Sequence, residues 1–149
     1  MQIKVTINEK MMELEAPYDE FLMDTLRRYG FLSVKKGCNT GSCGLCTVWL
    51  DGKPVLSCSV LSVRVNGRNI TTIEGVQKEA REFADFLVKE GADQCGFCSP
   101  GFIMTVLAMK RELSNPTEED IIHYLTGNLC RCTGYQGQLR AIKKYLGVV

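Results

Sequence analysis

Gly37-Cys38-Asn39-Thr40-Gly41-Ser42-Cys43-Gly44-Leu45-Cys46 is the stretch on which the reading of this chain turns. Three cysteines and three glycines stand within ten residues, and a fourth cysteine, Cys58, follows an Asp-Gly turn signal. The spacing is C-x4-C-x2-C-x11-C. Thiolates that must all point inward at two irons force the backbone to curl, and this spacing is the plant-type pattern for a [2Fe-2S] cluster. Gly37, Gly41 and Gly44 permit the curl, because glycine alone enters positive φ at little cost. So close a backbone also brings N–H groups to the sulfurs, one of the levers on a cluster's potential. Electron transfer is the reading that the rest of the chain has to support or spoil.

Upstream, Ile3, Val5 and Ile7 alternate with polar residues, which reads as a half-buried strand over 2–8. A turn at Asn8-Glu9-Lys10 leads to a second short strand around Met12 and Leu14. Pro17 opens a helix to about Arg28, with Phe21, Leu22, Thr25 and Leu26 inward and Gly30 placed to end it. Downstream, Thr47–Leu50 and Lys53–Ser57 flank Asp51-Gly52, a strong hairpin signal. Asn69–Ile73 is a further strand. Together these predict a small mixed sheet crossed by one helix, a ferredoxin-like (β-grasp) domain over residues 1–75.

After Gly75 the period changes. Ala80, Phe83, Ala84, Leu87 and Val88 recur at the spacing of an amphipathic helix. Ser99-Pro100 reads as an N-cap followed by proline at the first helical position, opening a helix to about Leu113. Asn115-Pro116 breaks it, and Thr117 starts a third helix whose first turn is acidic. A fourth follows Gly137, with Leu139, Ile142 and Leu146 on one face. Residues 76–149 should form a four-helix bundle, so the fold class is α+β with a boundary near 75.

The chain has 149 residues, room for one domain or two small ones. A formal charge of +1 leaves no electrostatic footprint for nucleic acid or an anionic membrane. No apolar run is long enough to span a bilayer, and the alternating N-terminus lacks the apolar core of a secretory signal. The expectation is a cytoplasmic protein. In a reducing compartment eight cysteines point to metal rather than disulfides, and they divide into two sets of four with none left over.

The second set is Cys95 and Cys98 in a C-x2-C turn, with Cys130 and Cys132 in a C-x-C turn. Two inter-helix turns at one end of a bundle can bring four thiolates together. Taken alone, each turn is also compatible with zinc, while a thioredoxin-like site would need a βαβ context that this half lacks. A Rieske centre needs two histidines, and His123 is the only one in the chain. At its spacing in the third helix, His123 reads as structural or exposed.

Gly37–Cys46 with Cys58, then Gln94-Cys95-Gly96-Phe97-Cys98 and Gly127-Asn128-Leu129-Cys130-Arg131-Cys132-Thr133-Gly134-Tyr135, resemble the iron–sulfur subunit of the xanthine dehydrogenase and aldehyde oxidase family of molybdenum hydroxylases. The resemblance spans nearly the whole chain, with both motif sets in order. It implies one [2Fe-2S] cluster in each domain, together with a large molybdopterin-binding (molybdenum) subunit and an FAD-binding subunit as partners. It further implies that Cys95, Cys98, Cys130 and Cys132 hold the cluster nearest molybdenum, and that Cys38, Cys43, Cys46 and Cys58 hold the one nearest FAD. Gln94 matches the position that hydrogen-bonds the pterin, and Cys132 the ligand whose sulfur accepts a hydrogen bond from the pterin amino group. The chain carries no molybdenum or flavin segment, so the separate-subunit form is implied, a hetero-oligomer that could be a dimer of heterotrimers.

The chain itself should not turn over substrate, because every cysteine is committed and no nucleophile–base constellation or paired-carboxylate signature remains. Trp49, Phe97 and Tyr135 read as packing, and Lys35, Lys36 and Arg131 as solvated or interfacial charges near the clusters. Two other readings stand beside the subunit: a free-standing two-cluster carrier and a zinc-stabilised interaction module.

Overall fold

The computed structural model describes residues 1–148. Ile3, Val5 and Ile7 are buried in β1 (Gln2–Ile7), while Gln2 and Lys4 face water. Asn8 and Glu9, both at positive φ, turn the chain directly into β2 (Lys10–Glu15), the geometry that a two-residue hairpin needs. β3 (Thr47–Leu50) and β4 (Lys53–Leu56) pair in the same way about Asp51 and Gly52, at φ 49° and 81°. β5 (Asn69–Thr71) lies between the two hairpins, parallel to β1 and antiparallel to β3. The sheet order is β2-β1-β5-β3-β4, a mixed sheet as expected. Its outer strands are both guarded: β2 carries Lys10, Glu13 and Glu15, and β4 is four residues long with Lys53 and Pro54.

The first helix departs from its prediction. α1 is Leu22–Arg28 and begins five residues after Pro17. Phe21 is extended and bridges to Leu61, while Leu22 N–H donates to Val60 O (2.7 Å) and Ser62 N–H to Glu20 O (2.9 Å). Residues 20–22 are thus paired with a distant segment, and the helix starts only after that pairing ends. Phe21 is 42% exposed rather than inward, and Met23 takes its place beside Leu22, Thr25 and Leu26. These side chains close a core with Ile3, Val5, Leu14, Val48 and Ile70.

Four helices follow, as expected: α2 (Gln77–Lys89), α3 (Ser99–Glu112), α4 (Glu118–Tyr124) and α5 (Gln136–Leu146). On α2, Ala80, Phe83 and Leu87 are buried, but Val88 is 62% exposed. Phe86 turns inward instead, with its ring edge-on to Tyr145 at 5.5 Å. α3 is buried from Gly101 to Met109, the signature of a helix with neighbours all round. It starts with Ser99 already helical, so Cys98 rather than Ser99 occupies the N-cap and Pro100 is the second helical residue. α4 opens with a capping box in which Thr117 and Asp120 satisfy each other's backbone N–H groups. On α5, Gln138, Ala141, Ile142 and Tyr145 are buried, with Leu139 and Leu146 half-buried beside them. The fold class is α+β.

Trp49, from β3, belongs to the helical core rather than the sheet core. Its indole N–H donates to Met104 O at 3.0 Å, and the Arg111 guanidinium stacks 3.7 Å from its ring centroid. No helix among the described residues is long and apolar enough to cross a membrane.

Candidate metal centres

All eight cysteines are free thiols, and they fall where the two motif sets place them. In the first set, Cys46 leads directly into β3 and Cys58 sits in the 3-10 turn Ser57–Ser59 just after β4. The x11 spacing is therefore the hairpin itself: two four-residue strands, a two-residue turn and Ser57. Pairing of the strands brings the two ends together, with Ser57 donating both its N–H (3.3 Å) and its hydroxyl (2.7 Å) to Cys46 O. The thiols meet in twos, Cys38 against Cys43 and Cys46 against Cys58. Backbone N–H groups of Thr40, Ser42 and Cys43 aimed at the Cys38 sulfur hold that thiol down at about 5. Burial pushes Cys43 up, and burial with the adjoining Cys58 thiol raises Cys46 to about 11.

The second set closes from opposite sides of the bundle's end. Cys95 and Cys98 lie in the turn entering α3, and Cys130 and Cys132 in the turn between α4 and α5. Cys132 Sγ lies 3.4 Å from Cys95 Sγ, and Cys98 meets Cys130. All four line one recess of about 180 Å³, with Phe97 and Arg131 at its rim. Burial, then the neighbouring Cys130 thiol, lifts Cys98 to about 12. Burial opposes ionisation of Cys130 as well, but hydrogen bonds from the Thr133 hydroxyl and the N–H groups of Cys132 and Thr133 bring it below the ordinary thiol range. Cys95 and Cys132 are exposed, and contact with Cys95 raises Cys132.

Thr133 and Tyr135 stand in the second motif, but the sequence assigns neither of them a hydrogen bond to the thiol site. Thr133 Oγ1 lies 3.1 Å from both Cys130 Sγ and the buried Gln138 Oε1, and Cys130 N–H donates to Tyr135 Oη at 2.9 Å. The available signal was a hydroxyl residue within three positions of a cysteine. Phe97 and Tyr135 cover their site only in part, being 48% and 40% exposed. Lys35 Nζ lies 5.8 Å from the Phe97 ring centroid, and Lys36 is 3.9 Å from Asp24. Gln94 and His123 are exposed. The two sets abut: Leu129 N–H donates to Cys43 O at 2.8 Å, and Gly37, Cys43 and Leu45 form part of the wall of the second recess.

The donor sets fit [2Fe-2S] clusters. A zinc site gathers its thiolates round a single ion, whereas these thiols meet two by two. Paired thiols suit a cluster with two thiolates on each iron. The cradle is tight as well, since a Cβ on Gly37 would stand 2.6 Å from Leu45 Cδ2 and 3.3 Å from Cys43 Sγ. Thiols held protonated by burial, and then by each other's proximity, ionise when cations supply the missing charge.

Comparison with known proteins agrees. The family described as "2Fe-2S iron-sulfur cluster binding domain" matches residues 5–82, and that described as "[2Fe-2S] binding domain" matches residues 72–143. The chain is 44% identical over 141 residues to the xanthine dehydrogenase iron-sulfur-binding subunit of Escherichia coli O157:H7, covering 90% of this chain and 87% of that one. It is 38% identical over 136 residues to the nicotinate dehydrogenase small FeS subunit of Eubacterium barkeri, covering 89% and 87%. Among solved structures, quinoline 2-oxidoreductase from Pseudomonas putida 86 superposes with a TM-score of 0.90 at 36% identity, covering 98% of this chain and 92% of that chain.

Proposed function

The chain belongs to the iron–sulfur subunits of the xanthine dehydrogenase and aldehyde oxidase family of molybdenum hydroxylases, and from that premise we propose how its residues divide the work. As a subunit it serves electron transfer in an oxidoreductase complex. Cys38, Cys43, Cys46 and Cys58 hold one [2Fe-2S] cluster within a sheet domain of residues 1–75. Cys95, Cys98, Cys130 and Cys132 hold the other within a helical domain of residues 76–149. Each cluster, when bound, supplies a carrier for single electrons.

The observation that carries this reading is that the two thiol sets touch through Cys43 and Leu129 yet open on different recesses. The Cys95 and Cys132 side faces the molybdopterin-bearing partner, with exposed Gln94 beside it as the pterin's hydrogen-bonding residue. The recess at Cys38 and Cys58, lined by Phe21 and Met23, faces the flavin-bearing partner. Phe97 and Leu129, both exposed in this chain alone, lose their contact with water when the molybdenum partner covers the second set. The complex is cytoplasmic, a hetero-oligomer assembled as a dimer of heterotrimers. Its substrates are purines or other N-heteroaromatics, the class to which xanthine, nicotinate and quinoline belong, or aldehydes.

Iron and acid-labile sulfide analysis tests the core of the proposal. Two clusters require four of each per chain, and a zinc-only result sinks it. Purification of the native protein tests the assembly: molybdenum- and flavin-bearing chains should co-isolate, and persistent isolation alone favours a free-standing carrier. Gln94→Ala should leave both clusters in place while loosening the molybdenum partner or slowing reduction of the second cluster by substrate. Loss of a cluster in that variant would make Gln94 structural.

A further inference from the structure

Two glycines decide how near the first thiol set comes to the second. Gly44, at φ +71°, lies between Cys43 and Cys46. A Cβ placed there would run into the carbonyl oxygen of Gly127 and stand 2.8 Å from Asn128 Nδ2. Gly101, the third residue of α3, faces the same loop from the other side. A Cβ on it would lie 2.5 Å from Gly44 O and 2.8 Å from Leu45 O. Most of these obstacles are backbone atoms, which cannot rotate away as a side chain can. The cysteine loop is therefore held between the start of α3 and the segment that leads to Cys130, at a spacing only hydrogen side chains allow.

Two hydrogen bonds lock that sandwich. Leu129 N–H donates to Cys43 O at 2.8 Å, tying a residue beside one set to a cysteine of the other. Asn128 Nδ2 donates to Thr105 Oγ1 at 3.1 Å, pinning the 127–130 segment to α3.

We propose that the contact of Gly44 with Gly101 and Gly127, locked by Asn128 and Leu129, sets the separation of the two clusters and hence the ease of electron exchange between them. The proposal rests on the assignment of the eight cysteines to two clusters. Tunnelling falls exponentially with distance, so a small outward shift of the loop slows exchange several-fold without changing either ligand set. Gly101, Asn128 and Leu129 are positioning residues, since none touches substrate or supplies a thiolate.

The magnetic coupling between two reduced clusters falls with the inverse cube of their separation and reads the distance directly. In the dithionite-reduced complex, electron paramagnetic resonance should show both cluster signals and a splitting between them. Gly101→Ala should keep both signals and narrow the splitting, because the added methyl pushes the Gly44–Leu45 backbone away. Asn128→Ala, which adds no bulk, should broaden or reduce the splitting by unpinning the segment. Wild-type splitting in both variants, with clusters intact, overturns the proposal alone. A wild-type complex with only one cluster signal overturns the underlying assignment and the proposal together. Should Gly101→Ala lose a cluster, Asn128→Ala decides: an altered splitting supports the proposal and an unaltered one overturns it.

Discussion

Replacing Trp49 should destabilise the helical half of the molecule although the residue sits on a strand. Trp49 is 6% exposed, packs in the helical core, donates to Met104 O at 3.0 Å and carries Arg111 on its face at 3.7 Å. Truncating a buried tryptophan to alanine costs about 3–5 kcal/mol. Trp49→Phe keeps an aromatic ring but loses the hydrogen bond, about 1 kcal/mol, and part of the cation stacking, about 0.5–1 kcal/mol. Urea unfolding of the cluster-loaded chain should rank wild type, Trp49→Phe and Trp49→Ala in falling order. With a slope of about 2 kcal/mol per molar urea, the alanine variant's midpoint drops by about 2 M. The second cluster's spectrum should be lost along with the first as denaturant rises, because the tryptophan's neighbours are on α3. A midpoint shift below about 0.5 M, or loss confined to the first cluster, would refute the packing argument.

Other perturbations follow from the same geometry. Thr117→Ala breaks the capping box of α4 and should cost about 1 kcal/mol, a fall of about 2–4 °C in melting temperature. Cys98→Ser should abolish the second cluster and halve the iron content while the first cluster's spectrum persists. Glu20 accepts from Arg28 Nη2 at 2.6 Å and from Thr25, and the Arg28 hydrogen bond holds its carboxyl below the ordinary value of 4.5. A carboxyl depressed in the folded state adds stability above its unfolded pKa and loses it as pH falls. The melting-temperature gap between wild type and Glu20→Gln, worth under about 1 kcal/mol for a pair this open to water, should thus be full at pH 7 and shrink below about 4.5. A gap that grows on acidification would count against this pairing.

What sequence showed of the fold was whatever local periodicity encodes. Ile3, Val5 and Ile7 alternate, Asp51-Gly52 turns a hairpin, and the α2 stripe marks its buried face. Periodicity names a face but not its partner, and that is where expectation and structure part. α1 begins late because residues 20–22 pair with 60–62, a contact that no local pattern records. Val88 fits the stripe yet faces water, since Tyr145 lies beside Phe86 instead. Trp49 reads as packing from sequence, but nothing in its strand says that it packs under α3. The cysteines were legible because their chemistry dictates their spacing. Thr133, Tyr135, Asn128 and the Leu129 bond to Cys43 were not, because their roles exist only once two distant turns have come together.

The guarded edges of the sheet bear on how the chain behaves before it meets any partner. An open sheet edge is a template on which a second copy can grow, and a net charge of only +1 provides little mutual repulsion to prevent it. Lys10, Glu13 and Glu15 along β2, with Lys53 and Pro54 on the short β4, make both edges poor templates for a further strand. A nearly neutral polypeptide with exposed apolar residues at Phe97, Ile122 and Leu129 is in this way kept from growing into fibres. Association is left to its loops and helices, where Phe97, Ile122 and Leu129 are exposed.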